Sequence, residues 1–529
     1  MSTWFKRMAI AAVATVAFTG LAAAQVVYNR GNDADPETLD PHKTSTTYES
    51  HILRDMLEGL MIYDAAGKVV PGVAEKHEIS DDGTKYRFTL RSNAKWSNGD
   101  PVKASDFEFS LRRIMDPATG AKYANILYPI KNAEKINKSQ GAKPEELGVK
   151  AVDDRTLEIT LERPTPYFLE LLTHQTGLPV HPASVQKSGS DFVKPGSYVS
   201  NGAYVLKEFV PNSQIRLEKN PNFHDAANVK IDVVVFQPQK DLAATARRFE
   251  AGELHSTSDF PADQTKALRQ RLGDQVRTSP RLGFYYVALN TSKEHLKDAR
   301  VRQALSMVID RELISDAVWG GTMLPAYSIV PPGIGNYKEP AFADFKEMSP
   351  IEREDKAKEL LKQAGFGPGK PLKVQLRYNT TDNNKNTVVQ IADDWKRIGV
   401  ETSFINTDAK THFAVLRDTN DYEAARAGWI GDYSDPQNFL FLLESDNKGF
   451  NYAKYNNPEF DALMKKAAAE QNLDKRADIL KQAEALAMKD MPYIPVLYYG
   501  NNNLVSNKLK GWVDNVTGAH PTRFMSITQ

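Results

Sequence analysis

Between Leu372 and Ile405 the hydropathy pattern changes period twice. Leu372, Val374, Leu376 and Tyr378 alternate with polar residues, the period of a half-buried strand. Val388, Ile391 and Trp395 then recur at helical spacing as far as Gly399, and Val400 to Ile405 alternates again. Strand, helix and strand in this order admit few topologies, because a helical crossover between parallel strands of one sheet is nearly always right-handed. The stretch predicts a βαβ unit in a mixed α/β lobe, with a ligand bound at the edge of the sheet.

The rest of the chain supplies the same two periods. Lys85 to Arg91 and Arg155 to Leu161 alternate, while Asp232 to Phe236 and Phe284 to Asn290 are continuous apolar runs of the kind a buried strand carries. Val26 to Tyr28, Tyr204 to Phe209 and Gln214 to Leu217 complete the strand-rich stretches. Helices are predicted where Phe107, Leu111 and Ile114, and later Val301, Leu305 and Val308, share faces. Ser105 to Glu108 and Ser349 to Glu352 each read as a capping box, and Gly365 sits where the second helix would end. A chain of 529 residues, at roughly 150 per domain, predicts about three domains.

Residues 1–24 read as a signal peptide: Lys6 and Arg7 form the basic start, Met8 to Leu21 the apolar run, and Ala22 to Ala24 the small-residue cleavage site. A mature protein starting at or near Gln25 is expected. With no cysteine in the chain, there is no site for a lipid anchor, and thiol chemistry, disulfides and cysteine-ligated metals are excluded. Basic and acidic residues balance at 67 each, and loss of Lys6 and Arg7 leaves a slightly acidic chain, which argues against a nucleic-acid or anionic-membrane partner.

A search for catalysis finds no G-x-S-x-G, phosphate-loop, H-E-x-x-H or EF-hand pattern. Gly365 to Lys370 is glycine-rich but follows a helix and contains proline, so it reads as a helix-ending loop. The ten histidines are scattered, and the acidic pairs at Asp81, Asp153 and Asp393 fall in turns or on a helix face. The expectation is a non-enzyme with no catalytic residue, no metal site and no cofactor. A hydrolase assembled in space, such as a peptidase, stays the alternative outside the binding class.

One loop offers chemistry. Arg426 to Phe439 reads as strand end, glycine-bearing loop and helix start, with Ser434-Asp435-Pro436 as cap residues. Asp432, between Trp429 and Tyr433, can meet a cation inside aromatic walls, where a charge-assisted hydrogen bond strengthens as water leaves. A solvated turn aspartate beside two core aromatics fits the same residues.

This loop resembles the ligand-amine loop of the periplasmic oligopeptide-binding proteins of ABC importers, and further pieces agree in order. They are Leu39-Asp40-Pro41-His42, Ala94 to Gly99 with Ala104 to Phe107, Asn201 to Tyr204, Val301 to Leu305, and Pro495 to Tyr499. The resemblance implies an α/β, two-lobed periplasmic binding protein fold with an additional third domain, built of mixed sheets with helices on both faces. Lobe I is expected over 25–57, 183–282 and 501–529, the extra domain over 58–182, and lobe III over 283–500, with crossings near Pro182, Gly283 and Gly500. The implied function is a receptor that captures short peptides in the interlobe cleft and delivers them to an inner-membrane ABC permease. It is expected as a soluble periplasmic monomer with no nucleic-acid partner.

The resemblance also implies residue roles. Asp432 receives the peptide amino terminus, Tyr123, His174 and Tyr499 line the cleft, Trp429 walls a side-chain pocket, and backbone from Thr44 through Ser45 to Thr47 runs beside the ligand. Arg417 and Arg426 face the acidic end of the ligand. Trp319, Asn384 and Asp418 stand where the oligopeptide binders carry basic residues, which leaves mainly His174, Arg417 and Arg426 for a carboxylate. A murein-peptide or dipeptide receptor is the alternative within the class, and a peptidase or chaperone-like peptide holder the alternative outside it.

Overall fold

The computed structural model describes residues 25–528 apart from 45, 240, 408 and 448. The expected signal peptide, residues 1–24, and Ser45 lie outside the described residues.

The βαβ unit predicted between Leu372 and Ile405 is present. Lys373–Asn379 pairs in parallel with Glu401–Thr407, from Lys373↔Glu401 to Asn379↔Thr407, and helix Asp382–Arg397 connects them. Val388, Ile391 and Trp395 are buried on the inner face of that helix, which ends before Gly399 in the left-handed region, φ 81°. These strands belong to a six-stranded mixed sheet ordered Leu324–Pro325, Tyr493–Leu504, Val276–Leu289, Ala424–Ile430, Lys373–Asn379 and Glu401–Thr407. Glu401–Thr407 is the edge strand, so its alternating sequence covers a largely exposed element with Phe404 in solvent.

A second, four-stranded sheet is ordered Val27–Asn32, Val233–Pro238, Gln214–Lys219 and Tyr204–Val210. The continuous apolar run at Val233 to Phe236 is an inner, fully buried strand, as its sequence implies. A third sheet, wholly antiparallel, joins Ala74–Ile79, Lys85–Leu90, Thr156–Thr160 and Val149–Ala151. Two large hydrophobic clusters follow this division: one runs from Leu282 to Val516 around the six-stranded sheet, and the other unites the two four-stranded sheets. Two strands, Val276–Leu289 and Tyr493–Leu504, cross between the regions as an antiparallel pair whose register shifts between Pro280 and Phe284.

Local signals held to different degrees. Ser349 and Glu352 form the predicted capping box of helix Pro350–Gln363, and Gly365 follows its end with φ 86°. The box expected from Ser105 and Glu108 does not form. Helix Ala104–Met115 starts earlier, and the Asp106 carboxylate accepts from Lys103 N and from Trp96 Nε1, which holds the indole in the core. Beyond Asp310 the helix is a single turn continuing into a π-turn, which leaves Leu313 exposed and buries Arg311. That guanidinium donates to the carbonyls of Ser306, Ile309, Ala326 and Pro495.

Candidate functional site

Asp432 sits just past the end of strand Ala424–Ile430, in a loop held at both sides. On one side Gly431 N donates to Leu282 O at 2.8 Å, which continues the Val276–Leu289 pairing beyond Gly283↔Ile430. On the other, Asp435 is fully buried and receives both Nη atoms of Arg476 at 2.6 and 2.8 Å. Asp435 also accepts from Gln437 N at 2.9 Å, so the expected cap residue starts helix Gln437–Leu440 while anchoring the loop to helix Leu473–Asp490. Between the anchors, Tyr433 stacks on Tyr167 of the third-sheet region, with centroids 4.9 Å apart and planes 4° apart.

The Asp432 carboxylate has no hydrogen-bond or ion-pair partner among the described residues, and burial alone pushes its pKa up to about 6. It lines a cavity of about 270 Å³ between the two large clusters, together with Thr46, Thr47, Tyr123, His174 and Arg281. Tyr123 stacks on His174 at 5.7 Å, and its phenol is raised by burial and then by the Asp432 charge. The structure thus brings Asp432, Tyr123, His174 and Thr47 together. Thr44 lies behind them, buried, its hydroxyl donating to Pro41 O and accepting from Gln175 Nε2.

Arg426 and Tyr499 form a second group further along the same sheet. Arg426 Nη2 donates to Tyr499 Oη at 3.2 Å, Nη1 donates to Asn379 Oδ1 at 2.9 Å, and the guanidinium lies 4.5 Å from the Tyr285 ring centroid. Two glycines create this arrangement. A Cβ at Gly428 would meet Tyr499 Oη at 2.5 Å, and one at Gly283 would sit between Ile430, a cavity wall, and the Tyr499 ring. Arg426, Gly428 and Ile430 fall on one face of their strand by its two-residue period, so the face runs from Arg426 towards Asp432.

The remaining predicted residues lie in different surroundings. Among the described residues no carboxylate pairs with Arg426; Asn384 Nδ2 donates to the carbonyl of its partner Asn379, and Trp319 Nε1, beside Tyr285, donates to Thr387. His174 is no counter-charge for a carboxylate, because burial and then the Arg54 charge push its pKa down to about 3, and it stands at the Asp432 end. Arg417 is half exposed, forms an ion pair with Asp418, and borders a separate depression. Trp429 lies away from the Asp432 cavity; its indole N–H donates to Asn438 Oδ1 and its ring packs edgewise on Phe441 and Phe450. The aromatic walls are Tyr63 and Tyr123.

Two features escaped the sequence reading. The Asp435–Arg476 pair joins residues 41 positions apart, and local pattern carries no trace of it. Arg281 was legible in principle, as a lone basic residue between Pro280 and the apolar run from Leu282 at an expected crossing.

Residues 68–451 match the model of the bacterial extracellular solute-binding proteins, family 5. The periplasmic oligopeptide-binding protein OppA of Salmonella typhimurium is 39% identical over 499 residues, covering 93% of this chain and 90% of the relative. The unliganded open form of MppA, a periplasmic murein tripeptide binding protein, superposes with a TM-score of 0.91 at 37% identity, covering 96% of this chain and 98% of that one. Haemophilus influenzae OppA in complex with the peptide RPPGFSPFR gives 0.69 at 34% identity, covering 96% and 99%. The fold is therefore the two-lobed periplasmic binding protein fold with an additional third domain, in the arrangement of an open form, and the chain belongs to the bacterial extracellular solute-binding proteins of family 5.

Proposed function

We propose that this protein is an extracytoplasmic receptor that captures short peptides between its lobes, binds their free amino terminus at Asp432 and presents them to an inner-membrane ABC permease. The observation that carries the reading is the unpaired, half-buried Asp432 carboxylate in the interlobe cavity. Removing water from such a group is unfavourable unless a cation replaces the water, and a peptide ammonium supplies that cation. The names of the similar proteins, binders of oligopeptides and of a murein tripeptide, point to the same ligand class. Tyr123 lines the cavity beside Asp432, and Arg426 with Tyr499 receives the distal part of a longer ligand. The lobes are assigned to 25–57, 183–282 and 501–529, and to 283–500, with 58–182 as the extra domain. Export with removal of residues 1–24 puts the protein in the periplasm as a soluble monomer.

Calorimetry with tetra-alanine, its N-acetyl form and its amide tests the reading. Removing one partner of a desolvated charge pair costs about 2–5 kcal/mol, so acetylation or Asp432→Asn is expected to weaken binding by a factor of roughly 30 or more. Amidation is expected to cost under about 1.5 kcal/mol, since of the three expected basic groups only Arg426 is both charged and not already paired with a carboxylate. Peptide should be recovered intact by mass spectrometry. Binding of the acetylated form within about threefold of the free peptide removes Asp432 from the site, and cleavage products restore the peptidase alternative.

A further inference from the structure

Arg281 is the one guanidinium lining the Asp432 cavity that makes no hydrogen bond or ion pair among the described residues. It stands on the crossing strand Val276–Leu289, one residue from Leu282, whose carbonyl accepts from Gly431 N. Arg281 and Asp432 flank the Leu282–Gly431 hydrogen bond, which lies just beyond the last ladder pair, Gly283↔Ile430. They do not meet: no ion pair joins them, and burial is the whole cause of the Asp432 shift. Behind Arg281 in the same cavity, Arg54 donates to Thr173 O and leaves its Nε buried without a partner, and it too has no carboxylate. On its other side Arg281 borders a cavity of about 200 Å³ lined by Asp33 and Asp259; it forms no ion pair with either, and its charge opposes the burial that raises the Asp259 pKa.

One small cavity is therefore lined by a carboxylate and a guanidinium that form no ion pair with each other. Resting on the peptide-receptor reading, we infer that Arg281 is a specificity-determining residue that binds a carboxylate carried close to the ligand's ammonium. A ligand with both charges satisfies both protein groups, whereas one carrying only the ammonium leaves Arg281 facing a cavity from which closure expels water. The planar fork of the guanidinium suits bidentate contact with a carboxylate. That carboxylate has two possible sources: an acidic side chain within the first residues of a peptide, or the carboxyl end of a dipeptide.

The test measures dissociation constants by calorimetry in two arms. The first uses amidated tetra-alanine peptides with Glu or Gln at position one, two or three, and the second uses Ala-Ala and its amide. Wild-type protein is expected to favour the carboxylate by about tenfold or more in at least one arm. The first arm identifies an acidic side chain and the second a dipeptide carboxyl end. In Arg281→Gln the ratio should fall below about threefold while N-acetylation still destroys binding, and Arg281→Lys should retain an intermediate ratio. Ratios near one in both arms for the wild type, or a tenfold ratio that survives in Arg281→Gln, overturn the assignment and leave the receptor reading standing. Failure of every peptide to bind overturns both.

Discussion

Burial of an unpartnered carboxylate destabilises the protein that carries it, and Asp432 therefore ties affinity to stability. Burial raises its pKa to about 6 in the fold from the 3.8 of a free aspartate, so the native state binds more protons than the unfolded chain between those values. Stability falls as pH rises through this window and stays low above it. Two pH units at about 1.4 kcal/mol each, reduced for the partial exposure of the group, come to about 1–2 kcal/mol. Asp432→Asn is accordingly predicted to raise the free energy of urea unfolding by about that amount at pH 7 and to leave it unchanged at pH 3. Equal effects at both pH values reject desolvation as the cause. Binding has the opposite dependence, because an ammonium needs the ionised carboxylate. Affinity should be greatest between about pH 7 and the α-ammonium pKa of about 8, and fall up to about tenfold per unit below pH 6 and again above pH 8, measurable by calorimetry across that range.

At the scale of elements, the Asp432 loop is positioned by a strand and a helix that belong to distant parts of the chain. Gly431 closes the strand ladder, and the Asp435–Arg476 pair fixes the other side to helix Leu473–Asp490. With exposures of 0% and 2%, these two groups have almost no water available if the pair is broken. Arg476→Met should therefore cost about 3–5 kcal/mol in unfolding and weaken peptide binding by releasing the loop. The double variant Asp435→Asn, Arg476→Met should recover much of the stability, since no buried charge is left alone. If the single and double variants unfold at the same urea concentration, the loss is one of packing against Tyr167, over whose ring the Arg476 guanidinium lies at 5.6 Å.

Over the whole molecule, the superposition of 0.91 on an open form and 0.69 on a peptide complex indicates two arrangements of the same lobes. The crossing strands Val276–Leu289 and Tyr493–Leu504 are where a rotation is absorbed with least disruption, because their register already shifts between Pro280 and Phe284. Peptide saturation is predicted to shrink the radius of gyration seen by small-angle scattering, as both lobes gain contacts with one ligand. An unchanged profile at demonstrated saturation is the result that counts against closure. The Tyr167–Tyr433 stack links the third-sheet region directly to the loop that carries Asp432, so that region is expected to move with the loop.

The sequence by itself determined the elements and singled out one carboxylate that lines the cavity. Periods of two and 3.6 residues mark the strands and helices from Lys85 to Ile405 because burial on one face is a local demand, and the Asp432 loop is legible because its residues are contiguous. Charge state and pairing were decided only by the tertiary structure. His174 is neutral because burial and Arg54, 120 positions earlier, oppose its proton, and Asp435 is an anchor because Arg476 arrives from another helix. Arg281 and Asp432 line one cavity because two strands distant in sequence pair as far as Gly283↔Ile430. Electrostatic interactions depend on separation in space and on water exclusion, neither of which is a property of neighbours along the chain.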